Sequence, residues 1–249
     1  MAVHYIILAP SYSERKRIAL DISAEKIVDE KIVREVLDYL KENCIFSSLS
    51  THVIPTESID FNSVREHDKY FKDVKIIATK EEFAKILNKD RYLEGIDVAN
   101  YILSKIHCTH LKLEKLTYFC YANYLCQYDK PLFNDKIYAY KKGPIIYSVY
   151  KKFKKTKEIL INEEDDSREK FNEGGYLPIR SRLFASEEGI FKVDSINKTL
   201  EKYGHLSGQE LVALTHKSDS PWNHSGAGQK KYKRIEDDII LKYHRNESI

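Results

Sequence analysis

Along the first 90 residues, short apolar runs alternate with a stretch in which apolar residues recur at helical spacing. The runs Val3–Leu8, His52–Ile54 and Val74–Ala78 predict strands, and Pro10 and Pro55 are expected to end the first two. Between these two runs, apolar residues recur at helical spacing with charged residues on the other positions: Ile27, Ile32, Val36, Leu37 and Leu40. This spacing predicts an amphipathic helix.

A second helix is predicted after the third run. Thr79 can act as its N-cap, and Glu82 three residues later completes a capping-box pattern. The buried stripe of this helix would consist of Phe83, Ile86 and Leu87. Residues 1–92 are therefore expected to form a small α/β or α+β N-terminal domain.

From about residue 95 the pattern becomes mainly helical. Asp97 is expected to cap one helix, and Thr109 is expected to cap a second, long helix that reaches about Gln127. Ile137–Tyr140 is a short strand candidate. Gly143-Pro144 after it predicts a sharp turn from a strand into a helix, because proline fixes φ at the first helical position.

The next part of the chain predicts three helices, with one long loop between the first and the second. Ile146–Phe153 has the spacing of an amphipathic helix, and the acidic, glycine-containing stretch 162–178 is expected to be a surface loop. Asp194 is expected to cap the next helix, with Gly204 at the C′ position after its end. Ser207–Glu210 has the capping-box pattern of a further helix.

The pattern of apolar residues near the end of the sequence predicts one more helix. Pro221 is expected to end the helix that starts after Ser207, and Ile235, Ile239 and Tyr243 suggest a final helix with acidic residues in its first turn. Residues 93–249 are therefore expected to form a mainly helical C-terminal domain with a small β element. The fold class predicted for the whole chain is α+β.

The composition favours a globular chain. Apolar residues make up 42% and charged residues 32% of the 249 positions, and the net charge of +3 is the difference between 41 basic and 38 acidic residues. Because this net charge is small, any site for a polyanion must be local. The apolar run Tyr5–Ala9 is far too short for a spanning helix or a secretory signal. A cytoplasmic protein with no membrane partner is expected.

Motifs of common enzyme classes are absent. The sequence contains no GxxxxGK[ST], GxGxxG, HExxH or GxSxG pattern, although scattered catalytic groups leave no such motif. The four cysteines form no CxxC pair and are expected to be reduced, partly buried thiols: Cys44, Cys108, Cys120 and Cys126. We therefore expect a protein that is not an enzyme and has no catalytic residues, cofactor or metal.

Two histidine clusters offer alternatives to that expectation. His107–His110 contains two imidazoles and a thiol that suit zinc, but a second pair of ligands is lacking. His216, Asp219 and His224 could form a catalytic or metal-binding group. The favoured interpretation is that His216 ends a helix, where an imidazolium stabilises the helix dipole, and that His224 lies in a loop.

Two stretches could contact another protein. Tyr118, Tyr121, Tyr124 and Tyr128 form one stripe of the long helix, a pattern that is more typical of core packing than of an interface. The stretch 151–157 presents five lysines around an aromatic residue. Because it contains no arginine, base recognition is disfavoured, and a solvated helix face or an acidic protein partner remains.

Four blocks of sequence carry a resemblance to a known family. They are Asp97–Leu103, Leu111–Ala122, Tyr138–Tyr150 and Tyr203–Trp222. In this order they resemble the Panacea domain, which defines the SocA-like antitoxin and phage-associated protein family. Many members carry glutamine where this chain has Glu114. The motif residues expected to be structural are Leu113, Lys115, Leu116, Tyr118, Gly143, Pro144, Tyr203, Gly204, Thr215, His216, Pro221 and Trp222, and Trp222 is expected to close the core against the long helix.

The resemblance implies a binding protein. It implies an antitoxin that binds and neutralises a cognate protein toxin encoded nearby, or an adaptor that delivers the toxin to a protease. A DNA-binding autoregulator is a further alternative, but it lacks a basic helix with arginine or asparagine. The partner surface predicted here consists of Tyr147, Tyr150, Lys151, Lys152, Phe153, Lys154 and Lys155.

Overall fold

The structure is a computed structural model that describes residues 1–14, 16–44, 49–155, 168–171, 175–226 and 233–247. The chain divides into two compact units. The first consists of Met1–Tyr92 with Glu169–Leu177 and Ala185–Glu187, and the second contains the rest from Leu93 onwards. No helix in the described ranges is both long and apolar enough to cross a membrane.

The first unit is built on a four-stranded sheet with the order β3-β1-β2-β4. Its strands are β1 (Ala2–Ser11), β2 (Lys16–Ala24), β3 (Ser50–Thr56) and β4 (Lys75–Ile76), and its helices are α1 (Glu30–Asn43), α2 (Phe61–His67) and α3 (Lys80–Asp90), with a 3-10 turn at Lys69–Phe71. Strand β1 is antiparallel to both β2 and β3, whereas β4 is parallel to β2. Apolar side chains cover both faces of the sheet, α1 and α3 packing on one face and α2 on the other.

The strands of the first unit extend further than their apolar runs predict. Strand β1 continues through Pro10 and β3 continues through Pro55. Pro55 is tolerated because β3 is an edge strand, where a residue without N–H need not break the ladder. Pro10 lies beyond the last β1 residue that pairs with β3, which is Leu8. The sequence patterns missed β2, whose charged residues Arg17 and Asp21 interrupt its apolar positions.

Helix starts in the first unit follow their caps. The prediction that Thr79 caps α3 is confirmed, since its hydroxyl accepts a hydrogen bond from the Glu82 amide at 3.2 Å. The expected start of α1 was too early. Asp29 accepts a hydrogen bond from the Lys31 amide and starts the helix at Glu30, so Ile27 lies outside it and is exposed.

The second unit is mainly helical. Its helices are α4 (Gly95–Leu103), α5 (His110–Tyr128), α6 (Tyr147–Phe153), α7 (Ile179–Phe184), α8 (Gly189–Tyr203), α9 (Gly208–Thr215), α10 (Pro221–His224) and α11 (Asp237–Tyr243), with a 3-10 turn at His244–Glu247. Strands β5 (Ile137–Tyr140), β6 (Gly143–Ile146) and β9 (Lys233–Ile235) form an antiparallel sheet with the order β6-β5-β9. The α+β class and the mainly helical C-terminal region are therefore confirmed.

Helix α5 forms the centre of the second unit. It contacts α4, α6, α8, α9, α11 and β6, and residues on all of its faces are buried. Thr109 caps it as predicted. Tyr118, Tyr121 and Tyr124 are buried, and the neighbouring Phe119 ring stacks on Tyr203 with centroids 4.6 Å apart. The tyrosine stripe is therefore core packing along most of its length.

Several expected helix ends in the second unit were wrong. Glu94, not Asp97, is the N-cap of α4, and Asp97 is the reciprocal partner of that capping box. Helix α8 begins at Gly189, so Asp194 lies inside it. The preceding Glu188 adopts φ +56°, and its carboxylate accepts hydrogen bonds from the Tyr124 hydroxyl and the Lys130 ammonium, tertiary contacts that local patterns do not reveal. Gly204 is the C-cap of α8, one position before the expected C′ position, and its backbone is right-handed.

Two prolines begin elements instead of ending them. Gly143-Pro144 starts strand β6, and the following helix begins only at Tyr147. Pro221 is the first residue of α10, whose N-cap is Ser220. This position suits proline because the first amide of a helix has no intrahelical partner.

The last two differences concern strands. Ile235 ends strand β9 and is not part of the final helix, which starts at Asp237. The stretch 162–178 is not a continuous loop, because Arg168–Phe171 (β7) and Gly175–Pro178 (β8) form a two-stranded sheet. Residues 162–167 and 172–174, with the acidic run, lie outside the described residues.

Candidate functional site: a basic surface and a buried polar centre

The predicted partner residues lie on α6 and the turn that follows it. Tyr147 is 48% exposed, and the lysines at 151, 152, 154 and 155 are exposed. Tyr150 and Phe153 are half-buried, and Phe153 packs against the apolar core of the unit. Residue 157, which also belongs to the lysine-rich stretch, lies outside the described residues. The helix therefore presents lysines to solvent and rests on its aromatic side.

Aromatic contacts join α6 to the β5–β6 hairpin. The Lys154 ammonium lies 5.4 Å from the centre of the Tyr150 ring, and that ring lies 5.7 Å from the ring of Tyr140 on β5. On the same helix, the Lys152 ammonium lies 5.3 Å from the Phe153 ring. Such cation–π contacts orient lysine side chains without neutralising their charge.

Beneath this region, the motif residues Lys115, Gly143, Pro144 and Thr215 lie close together. Lys115 on α5 is fully buried, and its ammonium donates a hydrogen bond to the carbonyl of Pro144 at the start of β6. Gly143 adopts φ +97°, and a Cβ there would lie 2.6 Å from the Thr215 hydroxyl and 3.3 Å from Lys115 Cε. Only glycine fits both the backbone conformation and the space.

Two pairs of motif residues, Thr215-His216 and Pro221-Trp222, hold the other side of the β5–β6 hairpin. Trp222 is 8% exposed, its indole N–H donates to the Tyr140 carbonyl at 2.7 Å, and its ring lies 3.8 Å from that of His216. The burial expected for Trp222 is confirmed. Its hydrogen bond is to Tyr140 and its ring contact is with His216, and neither residue belongs to the long helix α5. His216 is the C-cap of α9, and its Nδ1 lies 2.7 Å from the Val212 carbonyl.

The other motif residues support the core. Leu113, Leu116 and Tyr118 on α5 are fully buried. Gly204 is needed because a Cβ there would lie 2.4 Å from the Leu200 carbonyl oxygen. The motif therefore holds the helices and the hairpin in place, while the exposed lysines lie on the hairpin and α6 themselves.

A buried polar network that the sequence did not predict surrounds the motif lysine. Glu247 is fully buried, accepts a hydrogen bond from the Tyr118 hydroxyl at 2.7 Å, and lies 2.7 Å from His244 Nδ1. Burial lowers the pKa of Lys115 to about 8 and raises the pKa of Glu114 to about 7. Burial also raises the pKa of Glu247. Because Tyr118 and Glu247 are 129 residues apart, no local pattern could have paired them.

The histidine clusters do not assemble into a metal site in the described residues. No group of three or more potential ligands comes together in these ranges. Burial raises the pKa of the Cys108 thiol to about 11, which disfavours the thiolate that would bind zinc. His224 Nε2 lies 3.1 Å from Asp219, whereas His216 contacts Val212 and Trp222. All four cysteines are free thiols.

Comparison with known proteins gives one family and one relative. The family model described as "Antitoxin SocA-like, Panacea domain" matches residues 113–223. The protein "Antitoxin SocA" of Caulobacter vibrioides (strain NA1000 / CB15N) is 30% identical over 131 residues, which cover 51% of this chain and 66% of that protein. No solved structure matches the chain. The matched range contains most of α5, the β5–β6 hairpin, α6, α8, α9 and the Thr215-His216 and Pro221-Trp222 motifs, and residues 113–223 therefore form a Panacea, SocA-like domain.

Proposed function

We propose that this protein is an antitoxin that binds and neutralises a protein toxin encoded nearby, through its Panacea domain. The observation that carries the proposal is the family match over residues 113–223, together with the relative that is named as an antitoxin. A domain whose motif residues serve packing, and whose hairpin and α6 surface exposes basic and aromatic residues, suits a binding role rather than a catalytic one.

Neutralisation would be steric or conformational. The antitoxin would cover the active surface of the toxin or hold the toxin in an inactive conformation, and no bond would be made or broken. The proposed contact residues are those on and after α6: Tyr147, Tyr150, Lys151, Lys152, Phe153, Lys154 and Lys155. Residues 1–92 would form an accessory domain, and the protein would act in the cytoplasm.

Co-expression with the neighbouring gene tests this proposal. We expect the neighbouring product to stop growth when it is expressed alone, and the full chain to restore growth and to co-purify with it. Gly143→Val is a control that should abolish rescue by disrupting the domain. A neighbouring product that is harmless, or that is toxic and never found in a complex with this chain, would refute the antitoxin role.

The same strain separates direct neutralisation from delivery to a protease. Direct neutralisation leaves the amount of toxin unchanged when the antitoxin is present. Delivery to a protease lowers the amount of toxin, and inhibition of the protease restores the toxin level. The second result would add a protease to the partners of this domain.

A further inference from the structure

The positive charge of this protein is concentrated in one 20-residue segment. Residues 136–155 contain seven lysines and no aspartate, glutamate or arginine. Because the whole chain carries +3, the other 229 residues carry −4. A chain that is almost neutral in total therefore has one strongly basic segment, which we call the lysine face. Its lysines are Lys136, Lys141, Lys142, Lys151, Lys152, Lys154 and Lys155.

The fold places the lysines of this segment on two elements that are in contact, the β5–β6 hairpin and α6. Residues 136–155 form the β5–β6 hairpin and then α6, and all seven lysines are exposed. Tyr140 and Tyr150 connect the turn lysines at 141 and 142 to the helix lysines through their ring contact. No ion pair among the described residues involves any of the seven lysines. Like charges held on a small surface without partners create a local positive potential.

We infer that the lysine face, including the hairpin lysines Lys141 and Lys142, binds an acidic surface on the toxin and steers its association. The inference rests on the proposed antitoxin function. Carboxylates match this face because lysines attract them as flexible point charges. Tyr147, which is 48% exposed at the start of α6, supplies an aromatic contact beside these charges.

A protein partner fits this face better than a nucleic acid does. Arginine forks bind phosphates and read bases, and the lysine face contains no arginine. A duplex would also extend past the 20-residue segment towards the rest of the chain, which is net negative and repels phosphates. A compact acidic patch on a folded protein meets only the basic segment.

The test uses the full chain and the product of the neighbouring gene, with matched charge reversals. Lys141→Glu with Lys142→Glu changes the hairpin, and Lys151→Glu with Lys152→Glu changes the helix. Lys105→Glu with Lys202→Glu is the control, because both lysines are exposed in the same unit, lie over tyrosine rings, and are outside the lysine face. Circular dichroism and urea unfolding establish that each variant folds. The association rate is measured by stopped flow at several salt concentrations.

We expect each face variant to associate about tenfold or more slowly than the unmodified chain at low salt, and the control to change less than about twofold. The difference should shrink as salt screens the charges. A complex that forms equally fast with face and control variants overturns the lysine face and leaves the antitoxin function standing. Failure to form any complex overturns both. Lysine-dependent binding of a DNA duplex of about 20 base pairs that is tighter than toxin binding assigns the face to nucleic acid and also overturns the inference.

Discussion

Glu114 allows the buried charges of α5 to be tested directly. It is 3% exposed, and its Oε1 atom has no hydrogen-bond partner within the described residues. Burial raises its pKa to about 7, although the neighbouring Lys115 lowers it. Glu114→Gln keeps the shape of the side chain and removes the titrating group. We therefore expect this substitution to stabilise the protein at neutral and higher pH.

The magnitude follows from the two pKa values. Below pH 4.5 both the folded and the unfolded chain hold the Glu114 proton, so its charge affects neither. As pH rises from 4.5 to about 7, the unfolded chain loses the proton first, and the free energy of unfolding falls. At about 1.4 kcal/mol per pH unit, the whole interval corresponds to about 3 kcal/mol. The advantage of glutamine should therefore be small at pH 4 and about 3 kcal/mol at pH 8.

Urea unfolding of the two proteins at pH 4, 6 and 8 measures this difference. Glu247 titrates in both proteins and cancels in the comparison. Lys115 does not cancel, because the Glu114 carboxylate raises its pKa, which is about 8, and the loss of that charge in Glu114→Gln adds to the difference above pH 7. Glu201→Gln on the exposed face of α8 is the control, and it should change the free energy of unfolding by less than about 0.5 kcal/mol. If Glu114→Gln changes stability equally at all three pH values, the argument from the buried charge is refuted.

Three further substitutions test the packing around the hairpin and in the first unit. Trp222→Ala should lower the free energy of unfolding by about 3–5 kcal/mol, and Trp222→Phe by less, since it loses mainly the hydrogen bond to Tyr140; urea unfolding separates the two, and equal losses would contradict the packing argument. Gly143→Ala should lower the melting temperature by several degrees because its Cβ would meet the Thr215 hydroxyl at 2.6 Å, and an unchanged melting temperature would show that the turn relaxes. Asp90→Ala should cost about 2–4 kcal/mol in urea unfolding, because its carboxylate accepts hydrogen bonds from two backbone amides and a hydroxyl of the β1–β2 turn; a loss below about 1 kcal/mol would mean that solvent replaces those bonds.

The sequence predicted elements well where the determining interactions are local. Thr109 and Ser207 were identified as N-caps because a cap needs only the next three residues, and the strand Ile137–Tyr140 has the predicted bounds. The start of α8 could not be predicted in this way. It follows Glu188, which has a left-handed backbone and a carboxylate that bonds to Tyr124 of another helix, and neither feature has a local sequence signal.

The candidate functional site also has features that the sequence reveals and features that only the three-dimensional packing reveals. The lysines after α6 were visible as a run of charges, and the resemblance identified the motif that the family model then matched. What the sequence could not reveal is that Lys115 bonds to the backbone of Pro144, or that the 3-10 turn near residue 247 places a carboxylate beside Tyr118. These contacts depend on three-dimensional packing between segments far apart along the chain.

The position of α5 has a consequence for how the second unit unfolds. Because six elements of this unit bury side chains against one helix, a loss of order in α5 removes packing from all six of them. Amide hydrogens of α5 should exchange with deuterium only through global opening, at a common rate that reports the stability of the whole unit. A substitution deep in α5 would then remove the outer surface of the domain as completely as a substitution on that surface, so loss of function alone does not locate an interface.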